Sequence, residues 1–139
     1  MLEAVTALGS VFFDPYLLFL IFATTIIGIV IGVLPGLGAT TGAALLLPFT
    51  LTMEPVHAIA VLATIYVAAT FAGSITAILI NTPGTSAAAA TTFDGFPLAQ
   101  RGEAGRALGV AVVSSTFGGV VSVIVLCFAA PLLARVAYE

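Results

Sequence analysis

The sequence predicts an all-α polytopic membrane protein with spanning helices and interrupted or re-entrant half-helices. Three observations predict it. The chain of 139 residues is 61% hydrophobic and 6% charged, with no lysine and no tryptophan. No charged side chain falls between Asp14 and Glu54, between Glu54 and Asp94, or between Arg106 and Arg135. A spanning helix needs about 20 mostly apolar residues, and these stretches lack the polar face that a soluble helix shows. Finally, two apolar stretches are broken by one pattern, Pro35-Gly36-Leu37-Gly38-Ala39 and Pro83-Gly84-Thr85-Ser86-Ala87. Irregular backbone is tolerated at membrane depth only where protein buries it or where it lines a cavity. Paired breaks therefore point to a binding site built from interrupted helices.

The elements follow in order. Met1–Asp14 lacks a basic n-region and carries Glu3 and Asp14, so it reads as an interfacial lead-in rather than a cleaved signal. Tyr16–Leu34 is expected as a helix with Pro15 in its first turn. Pro35-Gly36 ends it, because a residue before proline avoids the helical region. Ala39–Leu47 restarts a helix too short to span, which Pro48 is expected to stop or kink. Thr52-Met53-Glu54-Pro55 has the signature of a helix start, and Ala58–Ile80 is the second long helix. Asn81-Thr82-Pro83-Gly84-Thr85 breaks it, and Ser86–Phe93 is expected as a short helical restart. Asp94-Gly95-Phe96-Pro97 reads as a turn. Gln100–Arg106 holds two of the three arginines, which places it at an interface and on the cytoplasmic side. Ala107–Ala134 is the last span, with Gly118-Gly119 and Pro131 as expected weak points. Residues 1–139 read as a single membrane domain. The two Pro-Gly pairs lie 48 positions apart, each between a long and a short helical segment, which suggests a small internal repeat.

The second break has the richer chemistry. Thr85 or Ser86 can cap the following helix, whose free N–H groups and partial positive charge suit an anion. Asn81 and Thr82 offer oxygens to a small hard cation such as Na⁺. In the first break, Gly36 and Gly38 permit close backbone approach to a ligand, and Thr40 and Thr41 supply hydroxyls. Either break also fits a plain capped kink that only shapes packing. The spacing Gly28, Gly32, Gly36 favours close helix contact in lipid; the small, weakly polar stripe Thr70, Gly73, Ser74, Ala77 fits the same packing role, with the lining of a pathway as the alternative.

Other classes are disfavoured. A net charge of −3 lacks the basic footprint that nucleic acid requires. The third small residue of a dinucleotide-binding turn starting at Gly36 would fall on Thr41. His57, the single histidine, reads as interfacial beside Glu54, and no nucleophile–base pair or metal spacing suggests an enzyme. Cys127 lies in an apolar run and reads as a packed thiol.

Four ordered blocks carry a family resemblance. They are Gly32-Val33-Leu34-Pro35-Gly36-Leu37-Gly38-Ala39 with Leu46-Leu47-Pro48-Phe49; Gly73-Ser74-Ile75-Thr76-Ala77-Ile78-Leu79-Ile80-Asn81-Thr82-Pro83-Gly84-Thr85; Thr92-Phe93-Asp94-Gly95-Phe96-Pro97-Leu98-Ala99; and Arg101-Gly102-Glu103-Ala104-Gly105-Arg106-Ala107-Leu108-Gly109. Together they resemble the N-terminal part of the large membrane subunit of tripartite tricarboxylate transporters, from about Ile27 to Ala134. Val67-Ala68-Ala69-Thr70-Phe71-Ala72 departs from a stretch richer in tyrosine and glycine in that family.

The resemblance implies a multi-pass subunit of the bacterial inner membrane. It would work with a small membrane subunit and a periplasmic solute-binding protein. Citrate or another carboxylate would be taken up by Na⁺ or H⁺ symport, with no other cofactor. On this view Pro35, Gly36, Gly38, Thr40, Pro83, Gly84, Thr85 and Ser86 are candidate substrate residues, and Asn81 and Thr82 candidate ion residues. Family members are longer, so the chain reads as a fragment. The competing expectation is a membrane scaffold or assembly fragment that transports nothing.

Overall fold

A computed structural model describes residues 14–137, with side chains described to residue 130. The expected lead-in therefore lies outside the described residues, apart from Asp14. Among the described residues five α-helices form: α1 (Pro15–Val33), α2 (Gly38–Thr50), α3 (Pro55–Ile80), α4 (Thr91–Gln100) and α5 (Ala104–Ala137). A 3-10 helix, Ser86–Ala90, precedes α4. No strand occurs among the described residues. Helices α1, α3 and α5 are long and apolar enough to cross a membrane, so the all-α membrane architecture read from composition is the one observed.

Helices α1 and α3 run parallel and form the core. Asp14 caps α1, accepting the Tyr16 N–H at 2.9 Å, and proline occupies the first turn of both α1 and α3. Along the seam the backbones nearly touch. A Cβ built on Gly28 would lie 2.7 Å from the Ala68 Cβ, and one on Gly32 would lie 2.6 Å from the Ala69 Cα. Ile65, Ala69, Ala72, Ala77 and Ile78 of α3 are wholly buried. With lipid tails as apolar as leucine, such close small-residue approach supplies the dispersion contact that holds helices together. Helix α2 folds back along the pair, with Gly42 placed against Ile31 and Ile65.

Four local expectations are corrected. Helix α2 runs through Pro48 to Thr50; a proline this near a helix end sacrifices one backbone bond, and the Thr50 hydroxyl donates to the Leu47 carbonyl at 2.8 Å. The Asp94-Gly95-Phe96-Pro97 segment is helical, inside α4. Its Gly95 is buried against Ile78, where a Cβ would come within 2.7 Å of Cγ1, so packing overrides the turn propensity. The chain turns instead at Arg101-Gly102, where Gly102 has φ +83°. The restart after the second break is 3-10 over Ser86–Ala90 and becomes α-helical only at Thr91. Gly118-Gly119 and Pro131 do not interrupt α5.

Helix α5 returns antiparallel to α3 but stands away from it. Its side chains from Val112 to Phe128 are exposed, including Cys127, so that thiol is not packed within this chain. A groove of about 750 Å³, lined by Thr25, Val67, Phe71, Val120 and Ile124 among others, separates α5 from α1 and α3.

Candidate functional site

The two Pro-Gly breaks come together. A Cβ on Gly38 would lie 4.0 Å from the Gly84 carbonyl oxygen, although the two residues are 46 positions apart. The local backbone explains how. Helix α1 stops at Val33, and Gly36 and Gly38 then adopt φ +91° and +58°. Only glycine takes such angles without a Cβ penalty. The chain thereby reverses within four residues and starts α2 at Gly38.

At the second break, α3 ends on Asn81 in the left-handed region, φ 56°. The Asn81 and Thr82 N–H groups both donate to the Thr76 carbonyl, the latter at 3.3 Å. Asparagine thus takes the left-handed position at the helix end, where glycine is usual. The chain then dips back alongside α3. The Gly84 N–H donates to the Gly73 carbonyl at 3.3 Å. Gly73 lies seven residues before the end of α3, about 10 Å below it by the helical rise. From that level the 3-10 helix and α4 climb out again. The segment is thus a re-entrant excursion.

Gly84 is buried, and its surroundings are backbone. A Cβ there would strike the Gly32 carbonyl oxygen and lie 2.9 Å from the Gly73 Cα. Thr85 sits on Gly73 in turn, its N and Oγ1 each 3.0 Å from a Cβ built there. The Thr85 hydroxyl accepts the Ala88 N–H at 3.3 Å and caps the 3-10 helix. The buried Thr76 hydroxyl donates to the Gly73 carbonyl at 3.1 Å.

Not all expected site residues meet there. Gly38, Gly84 and Thr85 converge; Pro35, Gly36, Asn81, Thr82, Pro83 and Ser86 surround them with exposed surfaces. The Thr82 hydroxyl donates to the Ile80 carbonyl at 3.2 Å. Thr40 is exposed one turn into α2, and its hydroxyl makes no hydrogen bond among the described residues. Gly32 and Gly73, read from the sequence as helix-packing positions, and Thr76, to which the sequence assigned no role, also shape the site. Gly32 and Gly73 form the platform under Gly84, and Thr76 holds the cap. Gly73 and Thr76 carried a faint signal, being small residues one turn apart just before the break. No group of three or more His, Cys, Asp or Glu side chains able to hold a metal occurs among the described residues.

A parallel pair of long apolar helices, each broken at the same end by a glycine break, with α2 running back to the start of α3 and the second break dipping in and returning, defines a class: α-helical membrane proteins with discontinuous helices. Residues 18–139 match the tripartite tricarboxylate transporter TctA family, and the chain belongs to that family. It is also 47% identical over 118 residues to an uncharacterized 52.8 kDa protein in the TAR-I ttuC' 3'region of Agrobacterium vitis. That match covers 85% of this chain and 24% of the relative, so the chain spans about a quarter of the relative's length. No solved structure matches.

Proposed function

We propose that this chain forms the N-terminal re-entrant unit of a secondary carboxylate transporter subunit in the bacterial inner membrane. The observation that carries the reading is the meeting of Gly38 and Gly84 below the end of α3. Tricarboxylates such as citrate would approach a rim of exposed Pro35, Gly36, Pro83 and Ser86 beside the half-buried Thr85. No Lys or Arg lies in either break, so the anion relies on backbone N–H groups, hydroxyls and a co-bound cation. Asn81 and Thr82 are the nearest oxygen donors for Na⁺, and H⁺ is the alternative coupling ion. A periplasmic solute-binding protein would deliver the substrate, and a small membrane subunit would complete the assembly. Basic residues favour cytoplasmic loops, so the Arg101–Arg106 turn faces the cytoplasm and the starts of α1 and α3 face the periplasm.

The test is uptake of radiolabelled citrate by proteoliposomes holding the subunit with its partners, across Na⁺ and pH gradients. Gradient-dependent uptake that weakens when Thr85 is replaced supports the reading. The Thr85→Ser variant keeps the cap and should retain uptake. Thr85→Val loses both cap and hydroxyl; losing one hydrogen bond to a charged ligand should cost about 1.5–3 kcal/mol, a ten- to hundredfold loss of affinity. Wild-type affinity in Thr85→Val would remove the second break from the site. The scaffold reading draws on one specific observation, the backbone-to-backbone seating of Gly84 on Gly32 and Gly73. It requires that no substrate protect Gly36 or Thr85 from chemical labelling at introduced cysteines.

A further inference from the structure

A second cavity lies apart from the two breaks, between α3, α4 and α5. It holds about 500 Å³ and is lined by Ser74 of α3, Thr91 and Asp94 of α4, and Arg106, Ser114 and Ser115 of α5, among others. Arg106 stands at the start of α5, beside the turn from α4. Ser114 lies eight residues further along the same helix, about 12 Å deeper by the helical rise. The cavity therefore carries polar side chains from the turn down into the apolar length of α5. Within α4, Thr91 and Asp94 are three residues apart, which puts both on one face.

The carboxylate of this cavity differs from the other acids. Asp14 and Glu54 both face His57, at 3.1 and 3.7 Å, and Glu103 takes Arg106 at 2.9 Å. Asp94 makes no ion pair among the described residues. The hydroxyls differ in the same way. Those of Thr70, Thr76, Thr92 and Thr116 each donate to a carbonyl three or four residues back. Those of Ser74, Thr91, Ser114 and Ser115, which line the cavity, make no hydrogen bond among the described residues. One carboxylate and several hydroxyl oxygens are thus gathered without protein partners. An ionisable side chain held among membrane spans is costly and points to a function, with a partner to be named.

We propose that this cavity binds a small monovalent cation such as Na⁺, with the Asp94 carboxylate as its charged ligand and the Ser74, Thr91 and Ser114 hydroxyl oxygens as neutral ones. Hard cations take oxygen ligands. A single carboxylate neutralises a single positive charge, whereas a divalent ion would keep an uncompensated charge among apolar helices, which is costly. Arg106 lines the same cavity, but Glu103 already answers its guanidinium, so the Asp94 charge is left for the ion. Neither Asn81 nor Thr82 lines the cavity, so this site is distinct from the one at the second break. It deepens the ion coupling proposed above and rests on that reading for its consequence in transport. A carboxylate in the first turn of α4 also offsets the helix dipole; that role alone affects stability and leaves ion binding unchanged.

The experiment measures binding of radioactive Na⁺ to the complete subunit with its partners in lipid nanodiscs. All samples carry Asn81→Gly, so that the second break supplies no amide. Saturable binding is expected in that background, weakened about tenfold or more by Asp94→Asn and by a smaller factor by Ser114→Ala. Asparagine keeps the shape of the aspartate, and the Ser114 side chain is exposed, so the second variant decides the matter if the first fails to fold. A local readout accompanies binding. Ala111→Cys lies in the cavity, and in an otherwise cysteine-free subunit Na⁺, but not choline at equal ionic strength, should slow its reaction with a small thiol reagent. Asp94→Asn should remove that protection. Undiminished Na⁺ binding in both variants, or protection that survives Asp94→Asn, overturns the proposal. Either result with Na⁺-driven citrate uptake intact leaves the transporter reading standing, so the two fail separately.

Discussion

The two breaks share a motif but use their glycines for opposite reasons. In the first, Gly36 has φ +91° and nothing within 4 Å of where a Cβ would sit. Its glycine answers to backbone angle. In the second, Gly84 is not among the glycines of positive φ, yet a Cβ would collide with the Gly32 carbonyl and crowd the Gly73 Cα. That glycine answers to space. The first break is an open hinge, whereas the second is wedged into the seam between α1 and α3. The same Pro-Gly pair therefore predicts a bend in both places, and only tertiary packing tells which bend resists change.

This contrast is sharpest at Gly84. Gly84→Ala or Gly32→Ala should each destabilise the chain by about 3 kcal/mol, the upper part of the overpacking range, because the obstructing atoms are backbone and cannot rotate away. Unfolding in detergent micelles followed by circular dichroism reads the loss. Stability within about 0.5 kcal/mol of wild type in both variants would show that the second break is not wedged.

A smaller loss is expected at the first break. Gly36→Ala meets no neighbour, so its cost is the left-handed backbone alone, about 1–2 kcal/mol. If it proves as damaging as Gly84→Ala, the open hinge is the wrong description. Asn81 separates backbone from ligand chemistry in the same way. Asn81→Gly preserves the left-handed cap and should leave stability nearly unchanged. It nevertheless removes the amide proposed for the cation, so the Na⁺ dependence of uptake should weaken in that variant. Unaltered Na⁺ dependence would leave Asn81 a cap and nothing more.

Much of this was legible in the residues. Long uncharged stretches dictate spanning helices, and Pro-Gly pairs at the ends of α1 and α3 dictate the breaks. The motif also marked Gly38, Gly84 and Thr85, which do converge. What could not be read was which residues receive the second break, because Gly73 precedes Gly84 by eleven positions and the contact depends on how far the chain dips back. Likewise Asp14 and His57 are 43 positions apart, and only the parallel pairing of α1 and α3 joins them. The Asp94–Pro97 turn failed for a related reason. Its glycine signals close approach to Ile78 rather than a reversal, and a turn signature cannot tell those two uses of glycine apart.

The smallest effect should come from a glycine that serves neither angle nor space. Gly118 lies within α5, with nothing within 4 Å of its Cβ position and no positive φ. In a helix interior glycine is about 0.5–1 kcal/mol worse than alanine, since it loses more backbone freedom on folding. Gly118→Ala should therefore leave the fold intact and raise stability slightly, by at most about 1 kcal/mol in the same unfolding measurement. The sign is what matters, because it reverses that expected at Gly36 and Gly84. A loss in Gly118→Ala comparable to the loss in Gly84→Ala would mean that another helix lies against this face of α5. The exposed side chains from Val112 to Phe128 would then be an interface rather than a lipid-facing surface.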